Sequence, residues 1–470
     1  TSNDELPAIP TSSDPTGLPD APAPHDAGDG ASMSDARPPE VLERCSADGW
    51  CITDLPADDL DVRDIRPFED RAFAIAESPT LGIQFLEWER STDAWKFINE
   101  GTQNRFDRGA YAGDMWAPNE NEVYFTLAPA FVYHGVRPDP ASPFTWKISR
   151  LDDPDAALPD HDPGLVWSPA RDNAGLSLGV DGMPWGDVYA WYGPTLFRRT
   201  TADSGDDVWV VDHVLNDAEY PEDHFHIQSI AGGAPDDFWI AGVRSRVHAN
   251  GIWERPCPLA VQRRADGYHH LVDHVVDPVA DNVSLITGCN PKPGSQRLVW
   301  RMEAPGFDFV AETESERPGW MQSFQHIAPN TVVGLYGGAS LVHVTSAADT
   351  PLARYNNVGF AGGVGDVGNN HGALWVTEAG AWMTGYGYLL SLEYNPTDWS
   401  RGVGLFDDST TPEGADLCQI MQCATFRLSR IARGGHPHNE PLYQVRGTSN
   451  TNVWAVGNRY ALHKKPAHTQ

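Results

Sequence analysis

The sequence predicts an all-β propeller, and three observations predict it. A strand–turn–strand unit recurs along the chain, no stretch keeps a 3.6-residue apolar period, and the turn formers Gly and Pro are plentiful at 44 and 38 of 470 residues. The unit is clearest in Asn452-Val453-Trp454-Ala455-Val456-Gly457, followed by Ala461-Leu462-His463. Asp237-Phe238-Trp239-Ile240-Ala241-Gly242 repeats it, with Val247-His248 and Gly251-Ile252-Trp253 behind. Aligned strand centres fall at Phe73, Tyr124, Tyr189, Trp239, Ser284, Val333, Trp375 and Trp454, separated by 42 to 79 residues. A period of about 50 residues filled with short strands is that of propeller blades rather than of a helical solenoid. Eight centres predict eight blades, or seven if the unit at Ser284 or Val333 is irregular.

In chain order, residues 1 to about 40 are Pro, Asp, Ala, Ser and Gly with almost nothing to bury. Such a composition cannot offset its ordering entropy, so it reads as a disordered tether of the kind that follows a lipid anchor or secretion signal. A chain opening at Thr1 reads as a mature or trimmed secreted form. The propeller then runs over 41–470. Asp48-Gly49-Trp50-Cys51-Ile52 has the Gly-x-Trp form that the last unit, Leu442 to His463, lacks. The N-terminal strand is therefore expected to complete the last blade and close the ring, which removes open sheet edges. The fullest unit reads as four strands, His226 to Gly232, Phe238 to Gly242, Arg244 to Ala249 and Gly251 to Arg255. Long intervals mark insertions, among them an acidic Pro-rich loop from Asp152 to Asp162.

Six cysteines fall into the pairs Cys45/Cys51, Cys257/Cys289 and Cys418/Cys423, none of them a Cys-x-x-Cys knuckle. They predict three disulfides and an extracellular, cell-surface or periplasmic setting; free core thiols are the alternative. A net charge of −32 argues against nucleic acid and anionic lipid as partners. No run of 18 apolar residues is present to span a membrane.

With these residues in view, the chain resembles secreted bacterial β-propeller repeat proteins whose blades carry an xVWAVGxxGxIxHxxxGxW type of pattern. Trp454, Ala455, Val456 and Gly457 match it best, then Trp239, Ala241, Gly242, His248, Gly251 and Trp253. Thr201 to Trp209 also resembles an Asp-box hairpin of sialidase-like propellers, with its Trp one residue late. Asp-boxes are structural turns and imply no glycosidase activity. The resemblance implies a fold shared by binders, scaffolds and enzymes.

The catalytic motifs lack their structural context. Gly175-Leu176-Ser177-Leu178-Gly179 spells G-x-S-x-G, but Met183-Pro184 follows where a nucleophile elbow needs a helix. Gly363 to Gly368 spells G-x-G-x-x-G, but a strand follows instead of a phosphate-facing helix. The adjacent-cysteine disulfide of eight-bladed quinoprotein dehydrogenases is missing.

Two constellations point toward the central channel. His226, His274, His326 and His371 lie in or before predicted inner strands, and histidines converging from several blades would hold one transition metal, as in some propeller oxygenases. Hydrogen bonding between blades is their structural alternative. Alignment of inner strands on Ile65, Val180, Ile230, Val276 and Val445 places Arg66, Asp181, Ala231, Asp277 and Arg446 at the following position. Arg66 and Arg446 would then clamp a carboxylate or sulfate across neighbouring blades, or pair with acids such as Asp64 and Glu69. The Asp152–Asp162 loop offers hard oxygen ligands for calcium without the regular calcium-loop frame. The sequence thus supports a binding or scaffold module that meets a protein, glycan or small-molecule ligand through its face loops or channel. The alternative is a secreted metal-dependent oxygenase or hydrolase using the channel histidines. Trp185 and Trp399 are candidate stacking platforms for carbohydrate.

Overall fold

A computed structural model describes residues 45–46, 48–105, 108–109, 111–151, 177–202, 207–247, 254–276, 288–304, 309–314, 318–338, 340–347, 352–357, 372–378, 380–385, 388–392, 427–430, 432–433, 436–437 and 440–464. Blade 1 is formed by Asp61–Pro67, Arg71–Ser78, Gly82–Glu89 and Ala94–Phe97, listed from the channel outward. Blade 2 has Ala112–Asn119, Glu122–Leu127, Phe131–Val136 and Thr145–Arg150; blade 3 has Leu178–Gly182, Val188–Tyr192, Thr195–Thr201 and Asp207–Val214. Blade 4 has His224–Ala234, Asp237–Val247, Glu254–Arg264 and Gly267–Val276, with Cys289–Pro291 as a fifth strand. Blade 5 has Met321–Ala328, Thr331–Tyr336, Ser340–Thr345 and Leu352–Asn357, and Leu298–Ala304 with Phe309–Glu314 extends it. Blade 6 has Leu374–Thr377, Gly380–Thr384, Tyr388–Leu392 and Arg427–Arg430. Blade 7 joins Leu442–Ser449, Asn452–Gly457 and Tyr460–Lys464 to Trp50–Thr53. The described residues thus build seven blades.

Ring closure follows the sequence. Trp50 pairs with Lys464 and Thr53 with Ala461, so the N-terminal strand is the outermost strand of the last blade. Thr53 Oγ1 donates to Ala461 O (3.0 Å) and accepts from Trp95 Nε1 of blade 1 (2.9 Å), and the Cys45–Cys51 disulfide braces the entry to this strand. A second disulfide, Cys257–Cys289, ties the third strand of blade 4 to its fifth. Cys418, Cys423, the tether over 1–40 and the Asp152–Asp162 loop lie outside the described residues.

The blade count is seven because the step from Trp239 to Val333 is a single blade. Ser284 lies outside the described residues, and the chain after it lengthens the flanking sheets with Cys289–Pro291 and the Leu298–Ala304 hairpin. Blade 4 also departs from its predicted segmentation. Phe238 to Gly242 and Arg244 onward form one 11-residue strand, and Gly242 is mid-strand, where a Cβ would meet His226 O at 2.5 Å. Trp375 is likewise on the inner strand of blade 6, paired with Trp382 of the second.

A repeated device explains why the second strands of blades 2, 4 and 7 open with Glu, Asp or Asn two residues before an aromatic ring. Asn452 Oδ1 meets His463 Nε2 (2.9 Å), and that imidazole stacks on Trp454 at 4.1 Å. Glu122 Oε1 meets His134 Nε2 (3.0 Å), and His134 stacks on Tyr124 at 4.2 Å. In blade 4, Asp237 Oδ1 accepts from Trp239 Nε1 and Gln262 Nε2. The rings fill the space between blades, each contributing roughly 1.5–3 kcal/mol through burial, and the caps bond the polar edges of Trp239, His134 and His463. No helix among the described residues is long and apolar enough to cross a membrane.

Candidate functional site

The inner strands converge on a cavity of 160 Å³ to which every blade contributes. Arg63 comes from blade 1, Asp114 from blade 2, Asp181 from blade 3 and Gln228 from blade 4. Gln322 and Gln325 come from blade 5, Trp375 from blade 6, and Tyr443, Gln444 and Arg446 from blade 7. β-Bulges between Val62 and Asp64, and between Ala112 and Met115, shift the inner strands of blades 1 and 2 by a residue. They allow Arg63 to line the cavity while the next residue, Asp64, is fully buried behind it.

Asp64 is the anchor of the charged side. Its Oδ1 accepts from Ile65 N (2.8 Å) and Arg446 Nε (3.1 Å), and its Oδ2 accepts from Met115 N of blade 2 (2.9 Å). One carboxylate therefore knits blades 7, 1 and 2 at the channel wall. Burial works against the Arg446 charge, but Asp64, Asp181 and Asp114 outweigh it and raise the guanidinium pKa. Arg63 is engaged elsewhere, with Nε and Nη2 donating to Glu77 Oε2 at 3.0 and 2.7 Å.

The remaining acids are held differently. Asp181 Oδ1 accepts from Gly182 N (2.8 Å), and burial pushes its pKa up against the opposing pull of Arg446 and Arg66. Asp114 has no hydrogen bond or ion pair to its carboxyl among the described residues. Burial, then the neighbouring Asp64 charge, holds it well above the usual carboxylate range, with Arg446 opposing and Asp181 adding to the shift. Arg66 is lowered by burial and by Arg446, with Asp181 and Asp64 opposing. No hydrogen bond or ion pair reaches its guanidinium among the described residues.

Of the sequence candidates, Arg66, Asp181 and Arg446 thus lie within mutual electrostatic range at the channel. They share a register, opposite Phe73, Tyr189 and Trp454. Arg446 is nonetheless already held by Asp64, and Asp277 lies outside the described residues. Glu69 pairs with Arg90 (3.1 Å), away from this cluster.

The histidines do not share the channel. His274 is on the outermost of the four principal strands of blade 4, not an inner one, because Val272 to Val276 belongs to the strand ending that blade. It is fully buried, its Nε2 meets Gln296 O (3.2 Å), and burial lowers its pKa. His326 is on the inner strand of blade 5, but its Nε2 meets Asp237 Oδ2 of blade 4 (2.8 Å), a strap between blades. His226 is buried in the first strand of blade 4 and is not among the cavity-lining residues, and His371 lies outside the described residues. No group of three or more His, Cys, Asp and Glu suited to a metal occurs among the described residues.

The other motifs resolve as packing. Ser177 of G-x-S-x-G is buried with Oγ 2.8 Å from the carbonyls of Gly193 and Ile227, a latch between blades 3 and 4. Gly179 is required because a Cβ would sit 2.1 Å from the Trp191 indole. Trp185 packs against the core shared by blades 3 and 4 and donates to Asp187 Oδ2 (3.0 Å). Trp399 and Gly363 to Gly368 lie outside the described residues. Asp114 and Gln228 were missed in the sequence, although extending the inner-strand alignment to Trp116 puts Asp114 two residues earlier, as Asp64 precedes Arg66.

No family model matches the chain, and no curated protein matches it. Solved structures similar to it are propellers. Selenomethionine-substituted virginiamycin B lyase from Staphylococcus aureus is 10% identical, with 88% of this chain and 98% of that one covered and a TM-score of 0.49. YCF48 from Cyanidioschyzon merolae is 10% identical over 90% and 100% of the two chains, with a TM-score of 0.45. The WD40 β-propeller domain of Doa1 is 8% identical over 88% and 96%, with a TM-score of 0.42. The likeness is one of fold.

Proposed function

We propose that the chain is a binding module whose central channel takes a small polar ligand. The observation that carries this reading is a cavity lined from all seven blades, in which Asp114, Asp181 and Arg446 retain hydrogen-bonding capacity that the described residues do not use. A closed, disulfide-braced ring is a rigid frame, so such a site is preorganised and loses little entropy on binding. The disulfides further support an exported protein, of the secreted propeller-repeat kind, working in an oxidising compartment.

The test is a thermal-shift array of small polar compounds on the wild type and on Asp181→Asn. Compounds that raise Tm in the wild type should lose most of that effect in the variant, whose own Tm stays within a few degrees of the wild type. Stabilisers whose effect is the same in both proteins would place binding outside the channel and end this reading.

A further inference from the structure

We infer that the channel ligand is a small primary amine with an oxygen acceptor beside its nitrogen. The ammonium lies between Asp114 and Asp181, and the oxygen receives the amide of Gln228. This deepens the reading above and rests on it. Asp114, Asp181 and Gln228 line the cavity from three consecutive blades. Gln228 is only 8% exposed, and its Nε2 has no hydrogen-bond partner among the described residues. A buried amide donor without an acceptor is costly, and a ligand oxygen relieves it.

The balance of charge selects the amine. Of the charged groups lining the cavity, Arg63 is held by Glu77 and Arg446 by Asp64, so Asp114 and Asp181 have no counter-ion in contact among the described residues. An ammonium offers donors to both carboxyls, whereas a carboxylate or sulfate would meet an Arg446 already engaged and add to the acidic side. Trp320 and Trp375 line the cavity on the blade 5 and blade 6 side. A chain of net charge −32 steers cations toward such a channel.

The inference has a proton signature. Burial, then the neighbouring Asp64 charge, favours the protonated form of Asp114 in the unliganded channel, with Arg446 opposing and Asp181 adding. An entering ammonium stabilises the carboxylate, so the Asp114 proton passes to solvent as the ion pair forms.

Isothermal titration calorimetry at pH 7, repeated in buffers of different ionisation enthalpy, tests this with matched probes. Glucosamine and ethanolamine should bind at least tenfold more tightly than glucose and ethylene glycol, with release of a proton. Asp114→Asn should weaken the amines at least tenfold and abolish the release, and Gln228→Leu should weaken them several-fold at unchanged Tm. Equal binding of glucose and glucosamine, both weakened by Asp181→Asn, would overturn the amine while leaving the channel as the site. Absence of binding by all four probes would also overturn the amine, and the array then decides the channel on its own.

Discussion

Blade 4 and the channel each set two arginines among three aspartates, and the two clusters do opposite things. Arg244, fully buried, donates to Asp223 (2.6 Å), Asp273 (2.9 Å) and Asp217 (2.7 Å). Arg246 adds a second cation on Asp223 (2.6 Å) and Lys292 one on Asp217 (2.6 Å). Three carboxylates thus face three cations in direct contact, and Asp217 and Asp273 are easier to ionise. Burial opposes the Asp217 charge, but hydrogen bonds from Lys292, Glu219 N and Arg244 overcome it and lower its pKa to about 2. In the channel, Asp64, Asp114 and Asp181 face only Arg446 and Arg66, and only Asp64 is in contact. Its two other acids are harder to ionise. The same residue types make a knot where the charges are matched and a site where one positive charge is wanting.

The largest effect expected from this contrast is at the knot. Arg244→Met leaves three buried carboxylates facing two cations and should destabilise the fold by about 3–5 kcal/mol, the usual cost of breaking a buried pair. Equilibrium urea unfolding measures it, and a loss under ~1 kcal/mol would mean that the cage is relaxed by water.

A smaller effect of opposite sign is expected in the channel. A carboxyl whose folded pKa is raised contributes stability that is complete below its unfolded pKa, near 3.8, and is lost as pH rises through the folded value. Asp114→Asn removes that loss. The variant should match the wild type in Tm near pH 4 and exceed it at pH 8, and a lower Tm at pH 8 would show that the Asp114 charge is stabilised in the fold.

Much of the architecture was legible because it rests on local patterns. Asp48-Gly49-Trp50 announced the strand that closes blade 7, and Cys257 and Cys289 announced the tie within blade 4, where the structure joins them. The blade count stayed open between eight and seven at Ser284 because aromatic spacing cannot tell a new blade from strands added to the flanking sheets, and the described residues give seven. The channel was half legible. Arg66, Asp181 and Arg446 emerged from a register that holds in four blades, Ala231 being its member in blade 4, but Val276 aligned with them while sitting at the far side of its sheet. Asp114 escaped because a bulge breaks the alternation around it, and Gln228 because a neutral amide is conspicuous only once its burial is known. The histidines misled for the same reason. His134 and His463 serve the polar caps on second-strand rings, a role set by cross-strand register that no spacing along the chain displays.

The central claim, that matched charges make the knot and an unmatched acid makes the site, is tested most directly by titrating the carboxyls themselves. ¹³C-carboxyl NMR of aspartate-labelled protein, with Asp114→Asn and Asp217→Asn as assignments, reads both clusters in one sample. The account predicts that Asp217 titrates near 2 and Asp114 well above 3.8. Asp114 titrating at or below 3.8 would contradict it, because the channel would then already hold the positive charge that the ligand is meant to bring.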